Sequence, residues 1–274
     1  MTLTFALGVS LASILLSAIT LWFIAMRLKD NSIMDVFYGP VYAVTALLLV
    51  VVSPGEPHPV AFLLLMLILV WAMRLSVRIA RKNIGKGEDP RYQAWREAWM
   101  EKGAGYFAVR SFLQVFLLQG LVIYVVLLPF TLLIGAGGGT YPLVVLLGVV
   151  VWCVGFLFEV VADHQLDVFI RNPDNHGKIM RSGLFRFSRR PNYFGESLMW
   201  WGIAIIALGS VAFPLSLIAL LSPLVITYIV YTVTGPMLEA RWEKNLAYQE
   251  YRQETNYFIP WFPKERKKTE NQVA

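Results

Sequence analysis

One cysteine and three histidines are all the thiolate or imidazole metal ligands this sequence contains. Cys153 stands alone inside an apolar run, so neither a disulfide framework nor a thiolate metal site can be built. His58, His164 and His176 lie far apart in the chain, and no metal is expected. Charge is scarce as well: 15% of residues are charged against 57% hydrophobic, and the mean hydropathy is +0.58. A chain so poor in charge is too apolar for a water-soluble domain. It fits an all-α, multi-pass membrane bundle.

Seven apolar runs carry that expectation: Leu3 to Met26, Asp35 to Val52, His58 to Met73, Phe112 to Ile134, Tyr141 to Phe158, Tyr193 to Gly209 and Pro214 to Val233. The first has no basic residue before it and no small-residue cleavage site, so it reads as an uncleaved span. Pro223 predicts a kink in the last. Residues 74–102 are polar and helical in character, broken near Gly85-Lys86-Gly87, and 159–190 read as a polar loop.

Seven spans put the two termini on opposite sides. Of the 24 Lys and Arg residues, 2 follow the first span, 9 lie from Arg74 to Arg110, 6 from Arg171 to Arg190 and 7 from Arg241 onward. The turns at 53–59, 135–141 and 210–214 carry none. The positive-inside rule then places the basic segments and the C-terminus in the cytoplasm and the N-terminus outside. Membrane orientation alone accounts for the net charge of +6, without a nucleic-acid partner. Residues 1–263 read as one transmembrane domain. The Lys-rich 264–274 read as a tail, solvated or resting on anionic membrane lipid. Gly135-Ala136-Gly137-Gly138-Gly139 has no strand before it and lies on the side without positive charge, so it reads as a flexible turn.

The chemistry concentrates where the sixth run begins, at Arg181-Ser182-Gly183-Leu184-Phe185-Arg186-Phe187-Ser188-Arg189-Arg190-Pro191-Asn192-Tyr193-Phe194-Gly195-Glu196. Pro191 suits the first turn of a helix and Ser188 a cap upstream. A helix starting there puts Asn192 and Glu196 on one face. A carboxylate deep in lipid costs roughly 2.5–3.5 kcal/mol, so Glu196 needs a partner or a water-filled cavity. Arg189 and Arg190, next to a helix N-terminus, suit a phosphate, although they also fit the cytoplasmic end of any membrane helix. Arg74, Arg78 and Arg81 line one helical face as the chain leaves the third run. A snorkelling collar would use lysine equally well, whereas the forked donors of arginine match phosphate.

The run SGLFRFSRRPNYFGE followed by LMWWG closely resembles the signature of the steroid 5α-reductase-like family, in particular its bacterial members. The superfamily includes sterol reductases and isoprenylcysteine carboxyl methyltransferases. Trp71-Ala72-Met73-Arg74-Leu75-Ser76, Gly87-Glu88-Asp89-Pro90-Arg91-Tyr92, Ala162-Asp163-His164-Gln165 and Phe258-Ile259-Pro260-Trp261-Phe262-Pro263 extend the likeness over nearly the whole chain. The resemblance implies a seven-helix fold, a bacterial inner-membrane location, and NADPH held between membrane helices and cytoplasmic loops. It implies cofactor-cavity positions for Asp163, Arg171, Asn192, Tyr193 and Glu196, and for Arg241, Tyr248 and Tyr251 near the C-terminus. The steroid enzymes carry a Gln-Glu pair and a tyrosine where this chain has Phe37-Tyr38 and Trp71. Tyr38, with Asp35 one helical turn away, and a protonated Glu196 are therefore the candidates for polarising a substrate carbonyl. Tyr38 also suits an interfacial aromatic anchor.

The expected function is NADPH-dependent reduction of a C=C bond conjugated to a carbonyl, in a hydrophobic small-molecule substrate arriving from the bilayer. The alternatives are a membrane methyltransferase using S-adenosylmethionine and a non-enzymatic lipid-binding protein. The methyltransferase cofactor carries no phosphate, which the arginines disfavour, and the chain shows no internal repeat of the kind a transporter needs.

Overall fold

The computed structural model describes residues 1–83 and 85–264, so the expected basic tail lies from residue 265 onward outside the described residues. Ten helices account for most of the described chain. They are α1 (Leu3–Leu28), α2 (Ile33–Val51), α3 (Pro59–Asn83), α4 (Pro90–Met100), α5 (Ala104–Val126), α6 (Leu128–Ala136), α7 (Pro142–Arg171), α8 (Pro191–Leu208), α9 (Leu215–Trp242) and α10 (Leu246–Glu254). Among the described residues, α1, α2, α3, α5, α7 and α9 are long and apolar enough to cross a membrane. The protein is a multi-pass membrane bundle.

Three expectations change. The count of candidate spans is six rather than seven, because α8, at 18 residues, spends its first turns on Pro-Asn-Tyr-Phe-Gly-Glu-Ser. The run Phe112 to Ile134 is two helices, since Pro129 begins a new one at the first turn of α6. The helical stretch expected after Met73 is a continuation of α3, which carries on to Asn83 with Arg74, Arg78 and Arg81 on its last turns. The polar stretch after Phe158 is not a loop at first, because α7 continues unbroken to Arg171 and holds Glu159, Asp163 and Asp167 in helical register. Helix α9 is irregular: it is 3₁₀ up to Leu220, just before Pro223, and π-helical over Ile229–Thr234.

The chain forms two compact units. The first comprises Met1–Leu146 and Ile203–Ser222. Ser13 meets Thr45 at 3.0 Å and Ser10 meets Thr131 at 3.0 Å, tying α1 to α2 and α6. Such bonds are useful glue where the surroundings are apolar. Trp71, Tyr42, Phe116 and Phe130 fill the core. Helices α2 and α3 touch at Gly39, where a Cβ would lie 2.6 Å from the Ala72 carbonyl oxygen. The glycine-rich turn bonds to its neighbours: Gly138 donates to Ser210 O at 2.9 Å and accepts from His58 Nε2 at 3.1 Å.

The second unit comprises Leu147–Gly202 and the chain from Pro223 onward. Its central feature is a backbone-to-backbone approach of α7 and α8. A Cβ on Gly195 would lie 2.6 Å from Glu159 N and Gly155 O, and one on Gly202 2.6 Å from Gly148 O and Trp152 N. Gly148 and Gly155, like Gly195 and Gly202, are seven residues apart, two turns on one face. Small residues allow membrane helices to pack this closely. Ser197 and Trp201 of α8 both reach Thr227 of α9, at 2.5 and 3.3 Å.

Candidate functional site

The α7–α8 contact sets the register of the motif. Pro191 opens α8 as expected, and Asn192 Nδ2 donates to Oδ1 of the buried Asp163 at 3.2 Å. Glu196 and Tyr193 are half-buried on the same helix. Ser188 Oγ accepts from Arg190 N at 3.1 Å and donates to Phe258 O at 2.7 Å, so it closes the turn just before the helix instead of capping the N–H groups of α8 itself.

The two arginines differ. Arg189 is 8% exposed, its Nε lies 3.4 Å from Glu239 Oε1, and its guanidinium sits 5.1 Å from the Tyr257 ring centroid. Arg190 is half-buried. Arg189 Nη1 and Arg190 Nε are buried and find no hydrogen-bond partner among the described residues. Burial and the neighbouring Glu239 carboxylate push the Tyr248 hydroxyl up to about 12, so it stays a donor at neutral pH. Burial raises Tyr251 too, and its hydroxyl donates to Phe185 O at 2.5 Å. A cavity of about 180 Å³ opens beside Glu239, Glu243, Tyr248 and Arg252. It is smaller than the roughly 300–1,000 Å³ of ordinary ligand pockets and has room for a fragment of a large cofactor.

The structure thus gathers Asp163, Arg189, Arg190, Asn192, Tyr248 and Tyr251 in the second unit. Arg171, at the end of α7, and Arg241 are exposed. In the first unit Arg74 and Arg78 are half-buried and Arg81 is exposed. Tyr38 receives a hydrogen bond from Tyr42 at 3.2 Å. Asp35 is engaged by helix α4, accepting from Tyr92 OH at 2.6 Å and from Arg91 Nη2 at 3.2 Å. Burial and the Asp35 carboxylate drive the Tyr92 hydroxyl far up. Asp89 caps α4, accepting from Arg91 N at 2.9 Å; burial raises its carboxyl, but Arg91 outweighs that and holds it below the usual range. The Gly-Glu-Asp-Pro-Arg-Tyr block is therefore a brace for α2. Sequence reasoning missed Tyr257, 68 residues from Arg189, and the Asp35 partners, 56 and 57 residues from Asp35. The glycine pairs were legible as a seven-residue spacing in two apolar runs.

Comparison with known proteins follows this geometry. The model of a family described as a protein of unknown function, DUF1295, matches residues 21–255. The chain belongs to the DUF1295 family. Beyond it, the DUF1295 chain is 38% identical over 60 residues to 3-oxo-5-alpha-steroid 4-dehydrogenase 1 of Homo sapiens, covering 22% of this chain and 23% of that protein. The Bos taurus enzyme of the same name is 41% identical over 61 residues, covering 22% and 23%. A steroid 5-alpha-reductase of Gossypium hirsutum is 38% identical over 68 residues, covering 25% and 26%. Each match spans about a quarter of the relative's length. No solved structure matches the DUF1295 chain.

Proposed function

We propose that this chain is an NADPH-dependent membrane reductase of a C=C bond conjugated to a carbonyl in a lipid-like substrate. One observation carries the reading. Two buried guanidinium donors at the start of α8, Arg189 Nη1 and Arg190 Nε, find no acceptor among the described residues. A buried donor without a partner costs about 1–3 kcal/mol, and a phosphate, all acceptor, supplies what is missing. The cofactor's phosphates fit this donor set, and when bound NADPH supplies a hydride. The partial steroid-reductase likeness supports the same class.

In this reading Arg190 binds phosphate, helped by the positive end of α8. Asn192, its amide nitrogen committed to Asp163, keeps its amide oxygen to accept from a ligand N–H or hydroxyl. Glu196, one turn further along the same face, holds or moves a proton. All of these residues belong to the second unit, and Tyr38, Asp35 and the arginines of α3 carry no part of the reading. The basic segments face the cytoplasm, from which a charged cofactor arrives, while an apolar substrate comes through the bilayer.

Thermal melting of the detergent-solubilised protein with NADPH and with S-adenosylmethionine tests it, because a ligand of the folded state raises stability. NADPH is expected to raise the melting temperature, and Arg190→Gln to abolish that rise. Glu196→Gln is expected to melt nearly like wild type and lose NADPH-dependent reduction. Stabilisation by S-adenosylmethionine alone would overturn the assignment in favour of methyl transfer.

A further inference from the structure

The chain after α10 is stitched to the segment that leads into α8. Arg189 N donates to Asn256 O at 2.8 Å, and Trp261 N donates to Phe187 O at 2.9 Å. The Ser188–Phe258 bond lies between them. Within this clasp Tyr257 does two things. Its ring lies under the Arg189 guanidinium, and its hydroxyl donates to Tyr231 O at 2.7 Å. Tyr231 sits in the π-helical turn Ile229–Thr234, where the i→i+5 pattern shifts the usual carbonyl pairing. Gly235 makes room for the phenol, since a Cβ there would overlap the Tyr257 hydroxyl. The π-turn, the glycine and the tyrosine form one anchor.

We infer that Tyr257 is a positioning residue for the arginine pair: it fixes Arg189 against Glu239, so that the adjoining Arg190 keeps its guanidinium turned to a ligand phosphate. The inference rests on the proposed reading of the site and adds the residue that holds it. A cation over an aromatic face contributes about 0.5–2 kcal/mol, which corresponds to a change of roughly 2- to 30-fold in an equilibrium constant.

Two readouts on the full-length protein separate the clasp from the cofactor. Phenylglyoxal labelling, followed residue by residue by mass spectrometry, needs no nucleotide. Tyr257→Leu is expected to raise Arg189 labelling severalfold, and Tyr257→Phe, which keeps the ring, to raise it far less. Unchanged Arg189 labelling in Tyr257→Leu overturns the clasp. The second readout is NADPH affinity, expected to weaken about tenfold in Tyr257→Leu and to recover most of that loss in Tyr257→Phe. Raised labelling with unchanged affinity overturns the link between clasp and site. If the wild type binds no NADPH, the cofactor reading and that link both fall, while the labelling still decides whether Tyr257 holds Arg189.

Discussion

Asn192 and Asp163 are joined by a 3.2 Å hydrogen bond between the first turn of α8 and a point about two turns before the end of α7, and Asp163 is only 5% exposed. A hydrogen bond to a charged group contributes about 1.5–3 kcal/mol. Asn192→Leu is therefore expected to destabilise the fold by about that amount and to remove the melting shift produced by NADPH. Melting with and without nucleotide measures both. A variant as stable as wild type would show that the bond contributes little.

The α7–α8 crossing makes a second prediction. Gly195→Ala puts a methyl group 2.6 Å from backbone atoms of Gly155 and Glu159, and backbone cannot swing aside. Overpacking of this kind costs about 1–3 kcal/mol, and melting temperature and yield should fall together. Gly8→Ala, in α1 with open space around it, is the control. It is expected to gain up to about 1 kcal/mol from helix propensity. Equal behaviour of the two variants would exclude a tight crossing.

Tyr251 makes the third. Its hydroxyl value is raised above the ordinary 10.0, first by burial, so the folded state holds this proton more tightly than the unfolded chain. Its contribution is complete below pH 10 and is lost as pH climbs through the folded value. The melting temperature of wild type should fall above about pH 10, and Tyr251→Phe should flatten that fall. At neutral pH the same substitution leaves the Phe185 carbonyl without its 2.5 Å donor, at a cost of about 1–3 kcal/mol. An alkaline limb identical in both proteins would rule the linkage out.

Sidedness is the fourth. Helices α1, α2, α3, α5, α7 and α9 alone would return the C-terminus to the side of the N-terminus, whereas a crossing by α8 as well separates them. The distribution of all 24 basic residues favours separation, with the C-terminus cytoplasmic. Reporters fused at either end are expected to be active in opposite compartments. Activity of both in the same compartment would exclude a crossing by α8.

Composition and periodicity alone determined that this is a helical membrane protein, where its apolar runs lie, and that the motif opens a helix at Pro191. Those features are local: a run of apolar side chains needs only lipid around it, and proline at a first turn needs only its own missing N–H. Tertiary structure decided which polar residues meet. Nothing in the neighbourhood of Asp35 in sequence announces that Tyr92 and Arg91 hold it from another helix. Arg189 and Arg190 are indistinguishable as neighbours in sequence. Only folding buries the first between Glu239 and Tyr257 and leaves the second half-buried beside it. The physical reason is range: helix and span formation follow from neighbours a few residues apart, whereas a charge in a low-dielectric interior takes its partners from wherever the chain returns.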